Sequence, residues 1–314
     1  MRGLRKYLTP FAPDQSGAVS VLYELGGLIA ICDAGGCTGN VCGFDEPRWF
    51  EQKSALFSAG LRDMDAILGR DDRLVEKLVD AASKLDVKFV AIIGTPVPAV
   101  IGTDYKALGR MCEKRLNLPV ITIDTDGMEL YDVGEEKSWL ELFGTFAEKG
   151  KPNLDIEKKR GKIGVLGLTP QDISVLRAPK KIREYYQEKE GKEAICYCMG
   201  ENVCRSTYGL DNHRTAGEVE KNIVVSPAAL ATAKYLEKTF GTPYEVTYPI
   251  VEELVPDMDY RGKKILIVHQ QVIGNAMRAE IRRRCQKVNG DPSVDNNAVI
   301  TVASWFMMKQ ELSE

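Results

Sequence analysis

Histidine is scarce in this chain: His213 and His269 are the two it has among 314 residues. Histidine-rich metal sites and most triad chemistry are therefore poorly supplied. No GxxxxGK[ST] loop occurs, so the usual cradle for ATP phosphates is missing, and no GxGxxG follows a strand-like run to mark a dinucleotide site. No apolar run approaches the ~20 residues of a membrane span. The start, MRGLRKYLTPFAPDQSG, has basic residues but not the apolar stretch of a secretory signal. A cytoplasmic protein is expected, with no membrane partner. Excess positive charge is lacking as well, since the net charge is −3. The basic triplets KKR (158–160) and RRR (282–284) sit beside acidic residues and read as solvated faces, so no nucleic-acid partner is expected.

What the chain does have is cysteine, eight in all. In a reducing compartment thiols are more often buried, catalytic or metal-binding than disulfide-bonded. Six fall into two local groups: Cys32, Cys37 and Cys42, then Cys196, Cys198 and Cys204. Cys112 and Cys285 lie apart, within helical patterns, and read as core or surface thiols.

Short apolar runs alternate with helix-period segments along most of the chain. GLIAIC (27–32), KFVAIIG (88–94) and PVITIDT (119–125) read as strands. A helix is expected from Asp45, as N-cap with Pro47 in the first turn, through DEPRWFEQKSALFSAG, and another over GRDDRLVEKLVDAASKL with Leu74, Leu78 and Ala82 on one face. A polar, turn-rich stretch at 148–162 reads as a linker. Beyond it IGVLGL (163–168), EAICYC (193–198) and NIVVS (222–226) restart the pattern, and KKILIVH (263–269) with AVITVAS (298–304) starts it a third time. Such alternation means parallel βαβ units. The expected fold is α/β, with repeated Rossmann-like lobes at 1–150 and 151–258 and a partial third at 259–314.

The stretch GGCTGNVCGF (35–44) carries the chemistry. In open α/β sheets ligands bind beyond the carboxyl ends of strands, and Cys37 lies just past one. Glycines here, Gly36 and Gly39 among them, let the backbone approach a bulky group and aim N–H donors at it. A following helix N-terminus favours thiolate over thiol. Thiolates ringed by amide donors suit an iron–sulfur cluster; C-x4-C-x4-C without a histidine pair is not a usual zinc spacing. Cys37 and Cys42 are the expected ligands. Cys32 ends an apolar strand, so it is either core or a third ligand.

In the second group, C-x-C within a strand would send Cys196 and Cys198 to one face, with Cys204 on the loop after Gly200 folding back toward them. That group reads either as ligands for a second metallocluster or as a cysteine-rich buried strand. Arg48 could neutralise cluster charge or face a reductase partner. His269, ending a strand at a carboxyl edge, could face a central cavity or be a core histidine.

Taken together these segments resemble the component 1 subunits of nitrogenase and nitrogenase-like reductases. GGCTGNVCGF is similar to their GPxGC segment, and IGTD (101–104) to their IGDD element. LGRDDRLVEKLVDAA, LPVITIDTDG, NIVVSPAALATAKYLEKTFGTPY and RGKKILIVHQQ resemble further family segments. The resemblance implies three Rossmann-like lobes around a metallocluster, in a homo- or heterodimer with a component 1-like subunit. It implies an iron–sulfur cluster of the [4Fe-4S] kind, a second metallocluster, and electrons supplied by a separate ATP-hydrolysing iron–sulfur reductase protein.

Family members bring three cysteines to an interface cluster. Cys37 matches the second; the first would fall at or next to Phe11 and the third at Thr95 or Pro96, none of them cysteine. Cys42 and Cys32 could replace the missing ligands, or copies of Cys37 could share one cluster across a dimer. The chain also stops where the family's third lobe continues, so a C-terminally truncated member is expected. The resemblance leaves two functions open: a cluster-binding reductase subunit, or a non-catalytic metallocluster scaffold or carrier. The departures argue against nitrogen fixation itself.

Overall fold

The computed structural model describes residues 12–50, 54–148, 161–173, 175, 177–198, 209–289 and 298–304. Within them the apolar runs become short parallel strands. β1 (Leu28–Ile31) and β3 (Val90–Ile93) are buried at all four positions. Both faces of the sheet are covered, which is why these strands read as continuous hydrophobic runs rather than alternating ones. With β2 (Ala55–Ser58) and β4 (Val120–Ile123) they form a parallel sheet in the order β2-β1-β3-β4.

The second sheet, also parallel, is ordered β6-β5-β7-β8 from β5 (Lys162–Leu166), β6 (Glu193–Cys196), β7 (Lys221–Val224) and β8 (Tyr244–Val246). β9 (Lys264–His269) and β10 (Val299–Ser304) pair in parallel as a third sheet. The α/β class and the threefold restart of parallel pairing are as the sequence implied.

The helices, in chain order, are α1 (Asp14–Leu22), α2 (Gly36–Asn40), α3 (Asp63–Leu68), α4 (Asp71–Ser83), α5 (Pro96–Val100), α6 (Tyr105–Leu116), α7 (Tyr131–Phe146), α8 (Ala178–Glu190), α9 (Asp211–Arg214), α10 (Leu230–Phe240) and α11 (Gln271–Asn289). α4 buries Leu74, Leu78 and Ala82, as its period requires.

The helix expected from Asp45 onward is not there. A π-helical turn (Val41–Asp45) and a 3-10 turn (Pro47–Phe50) lead instead into β2. Asp45 is buried rather than a solvent-facing cap, and it accepts hydrogen bonds from Ser16 Oγ (2.8 Å) and Asn40 Nδ2 (2.7 Å). ALFS is drawn into the sheet because it completes the open edge of β1.

Two helices escape the sequence pattern. Every residue of α1 is buried, including Asp14, Gln15, Ser16 and Ser20. The buried residues of α7 lie on one side at i, i+3 and i+4 spacing, but that side carries Gly134, Glu135 and Ser138 beside Tyr131, Trp139, Leu142, Phe143 and Phe146. A helix enclosed by neighbours, as α1 is, shows little amphipathic contrast, and polar residues on a buried side interrupt its apolar stripe. These two join the first and second sheets: one hydrophobic cluster runs from Leu22, Ile31 and Phe89 through Trp139 and Phe143 to Val165 and Ile223. A separate cluster of Val255, Tyr260, Ile267, Ile281 and Cys285 supports the third sheet. Residues 149–160 of the expected linker lie outside the described residues.

Candidate functional site

β1 ends at Ile31, and the chain must turn sharply before α2. Gly35 makes the turn with φ +116°, a conformation that a side chain resists. Asp33, buried at the strand end, accepts from the Thr38 N–H (2.7 Å) and the Ser58 hydroxyl (2.5 Å), which ties α2 to both neighbouring strands. Cys37 and Cys42 ride on the helical segment this turn begins, and each thiol is half-buried. A Cβ added to Gly36, Gly39 or Gly43 would meet nothing within 4 Å. Among the described residues, nothing packs closely on the turn at these three glycines.

The expected thiolate bias is reversed. Burial, followed by the Asp33 carboxylate, pushes the Cys37 thiol pKa up, against a hydrogen bond with the Thr95 side chain. Cys42 is pushed up to about 11, by burial first and Glu46 second. A five-residue helix has little dipole to offer, and two acidic groups stand beside it. These are thiols until a metal displaces their protons.

Cys32 points the other way. It is 1% exposed and packs with Leu74, Leu78, Ile92, Leu108 and Cys112 on the far face of the first sheet, where burial raises its pKa to about 12. It is core, on the opposite side of the sheet from the α1–α7 layer. Thr95, one of the two positions (with Pro96) where the resemblance puts the family's third cysteine, is fully buried, hydrogen-bonds with the Cys37 thiol and donates to the Cys32 carbonyl at 2.6 Å. Phe11 lies outside the described residues.

Of the second cysteine group, the two described members make separate contacts. β6 stops at Cys196, so the strand geometry that would align Cys198 with it is lost. The Cys196 thiol lies 3.8 Å from the Pro179 carbonyl. The Cys198 thiol reaches into the first lobe, to the Ser20 and Val21 carbonyls at 3.4 and 3.5 Å. Both are buried structural thiols. Cys204 lies outside the described residues. Among the described residues no group of three or more His, Cys, Asp or Glu side chains is placed to hold a metal ion.

Arg48 is equally occupied. It is 2% exposed and forks onto Glu46, with Nε and one terminal nitrogen each 2.7 Å from a carboxylate oxygen. It also donates to the Ser20 carbonyl (2.7 Å), pairs with Glu24 (3.5 Å) and stacks on Tyr23. Its charge is spent holding α1 and the cysteine segment together rather than facing a partner. His269 Nδ1 accepts from the Gln270 N–H (2.8 Å), and burial lowers its pKa to about 4, so it is neutral.

Gln270 is the more informative neighbour. Its side chain donates to the Val225 carbonyl (2.6 Å) and accepts from the Val272 N–H (2.6 Å), fastening α11 to the end of β7. Beside that joint is a cleft of about 440 Å³ whose lining includes Ser226, Leu230, Thr247, Gln271 and Asn275. It occupies the carboxyl edge of the second sheet, where α/β proteins place ligands.

Nothing in the sequence pattern marks a buried acidic pair between the cleft and the cysteine turn. Glu135 on α7 and Asp172 in the loop after β5 are 0% and 2% exposed. Asp172 accepts from Tyr131 Oη (2.6 Å) and from the Ser226 hydroxyl, while Glu135 accepts from Thr169 Oγ1 (2.5 Å). Burial raises Asp172 to about 6 and Glu135 well above its usual range, the latter also because Asp172 is close. The one available signal was position: Asp172 follows a strand's carboxyl end.

Linked parallel sheets, with thiols and a cleft at strand carboxyl ends, define a multi-lobed α/β protein. The chain belongs to the nitrogenase component 1 type oxidoreductase family, whose model matches residues 16–251. Among curated proteins it is similar to the nitrogenase iron-molybdenum cofactor biosynthesis protein NifE of Bradyrhizobium diazoefficiens, 22% identical over 60% of this chain and 32% of that one. The protein of the same name from Clostridium pasteurianum is 25% identical over 63% of this chain and 40% of that one. The chain thus aligns with less than half the length of these relatives.

Two solved structures, "Nitrogenase Cp1 at pH 6.5" and "Nitrogenase Cp1 at pH 5", share the fold. Their TM-scores are 0.64 and 0.65 at 16% and 17% identity, covering 97% of this chain and 62% and 65% of theirs. No described helix is long and apolar enough to cross a membrane.

An iron–sulfur cluster fits the described residues in part. Cys37 and Cys42 are half-buried, but the remaining described thiols are turned into the core, so the described residues of one chain supply an incomplete ligand set.

Proposed function

We propose that this protein is an iron–sulfur cluster-binding subunit of a nitrogenase-like reductase, with Cys37 and Cys42 as ligands and a cluster completed by a second component 1-like subunit. The observation that carries the reading is the pair of half-buried thiols on a glycine turn at a strand's carboxyl end, with nothing among the described residues packed closely on its glycines. Exposed apolar side chains on segments leaving the same sheet edge support a subunit contact there: Phe44, Phe50, Val97, Val100 and Ile101. Electrons would come from a separate ATP-hydrolysing iron–sulfur protein, which accords with the missing phosphate loop. The cleft beside Ser226 is the candidate place for substrate.

A second reading, a non-catalytic scaffold on which a metallocluster is assembled, draws support from the curated relatives, which are named as cofactor biosynthesis proteins. Anaerobic purification with iron and sulfide analysis and EPR tests both. A colourless protein that holds no iron after reconstitution removes both readings. ATP-dependent reduction of the bound cluster by a phosphate-loop iron–sulfur protein favours the reductase; release of the cluster to an acceptor without turnover favours the scaffold.

A further inference from the structure

We propose that Glu135 and Asp172 hold one exchangeable proton between them, forming a buried proton site set between the cysteine turn and the cleft beside Ser226. The inference does not depend on iron being bound.

The two side chains are wholly buried yet unequally served. Both Asp172 oxygens have hydroxyl donors, Tyr131 on one and Ser226 on the other, an arrangement that stabilises the ionised form. Among the described residues Glu135 has one donor, Thr169, and its other oxygen, Oε2, is buried with no hydrogen-bond partner. An ionised carboxylate with a bare buried oxygen is costly, and a neighbouring negative carboxylate adds to that cost. The charges facing Glu135 do not reverse the balance. Asp132 on the same helix opposes ionisation; Arg48 favours it but is already bound by Glu46 and Glu24. Asp132 likewise faces Asp172, and Cys198 feels Glu135 from the second lobe. The arrangement therefore keeps the proton on Glu135 and the charge on Asp172 at neutral pH.

The position gives this proton a use. Thr169 joins the two acids, since its hydroxyl donates to Glu135 and accepts the Asp172 N–H at 3.4 Å. Ser226, which donates to Asp172, belongs to the cleft wall. On the other side, Gln171 donates to the Asp45 carbonyl at 2.7 Å, and the Asp45 carboxylate is bound to Asn40 at the end of α2. For release toward the cleft, the Glu135 proton passes to the Asp172 carboxylate, and Asp172 then protonates Ser226 Oγ as Ser226 gives its own hydroxyl hydrogen to an acceptor in the cleft; the pair gains one negative charge and no electron moves. This use rests on the proposed reductase reading: reduction in the cleft would consume protons along with electrons, and this pair is placed to supply one.

Infrared spectroscopy of the full chain tests the proposal without any activity assay. The protonated-carboxyl C=O band of the wild type at neutral pH should shift in D2O and be lost in Glu135→Gln. In Asp172→Asn the band should persist to higher pH no longer; removal of the neighbouring charge should move its loss down by about one pH unit or more. Ser226→Ala should slow its H/D exchange several-fold. Identical carbonyl regions in wild type and Glu135→Gln overturn the site. Should Glu135→Gln fail to fold, an unmoved titration in Asp172→Asn does the same, and unchanged exchange in Ser226→Ala overturns the connection to the cleft.

Discussion

A methyl group placed on Gly134 would lie 1.8 Å from the backbone carbonyl oxygen of Asp14. Its counterpart on Gly17 would lie 1.9 Å from the carbonyl of Tyr131, so α1 and α7 meet backbone to backbone. No rotamer relieves a clash with main chain. Gly134→Ala should cost about 3 kcal/mol or leave the protein insoluble. Gly39→Ala, with nothing within 4 Å of the added carbon, should change stability by less than about 1 kcal/mol. Urea unfolding of the two variants makes the comparison.

Cysteine substitutions should separate into two kinds. Cys37→Ala should lose most of the iron retained after anaerobic reconstitution. Cys32→Ala, emptying a site walled by Leu74, Leu78 and Ile92, should keep the iron and lose roughly 1–2 kcal/mol of stability. Iron per chain and urea midpoints read the two effects. Equal iron in wild type and Cys37→Ala would remove Cys37 from the site.

Thr95 touches the Cys37 thiol from the end of β3. Thr95→Cys should therefore place a third sulfur within reach of the same cluster and raise iron retention per chain. The cost is the Thr95 hydrogen bond to the Cys32 carbonyl, about 1 kcal/mol. Sulfide and iron analysis before and after gel filtration would show whether the added thiol holds metal.

Arg48 is the cation that buried Glu46 and Glu24 share. Arg48→Met keeps the bulk but strands two carboxylates, and should cost roughly 3–5 kcal/mol. Arg48→Lys should recover part of that, since an ammonium cannot fork onto Glu46. Thermal and urea unfolding of both variants would rank them.

His213 is fully buried among Trp139, Phe143 and Tyr197, with its pKa lowered to about 4 by burial. The unfolded chain binds that proton more readily, so acid favours unfolding. Stability should be complete above about pH 6.5 and fall as pH drops toward 4, by on the order of 3 kcal/mol from this residue. His213→Gln should flatten that limb. Glu135 and Asp172, raised rather than lowered, act with the opposite sign: they favour the folded state in acid and cost stability as pH rises through their range. Urea midpoints at half-unit pH intervals for wild type, His213→Gln and Glu135→Gln resolve the two.

Leu28–Ile31, Val90–Ile93 and Lys162–Leu166 were legible as strands because a parallel strand covered on both faces is simply an apolar run. The glycine turn with Cys37 was legible too, since nothing in packing asks for a cysteine there. Tyr131–Phe146 was not, because its buried side carries Gly134, Glu135 and Ser138, which interrupt the apolar stripe. Ala55–Ser58 was misread because its strand character comes from the waiting edge of β1 rather than from its own residues.

The sequence by itself determined the parallel α/β layering and the placement of a thiol just past the first strand, both properties of neighbouring residues. Which thiols stay accessible was decided by tertiary structure alone, as were the enclosure of Arg48 by two glutamates and the meeting of Glu135 with Asp172. A side chain's surroundings come from segments far away in the chain. Burial and nearby charge, which set protonation and the freedom to bind metal, exist once those segments have packed.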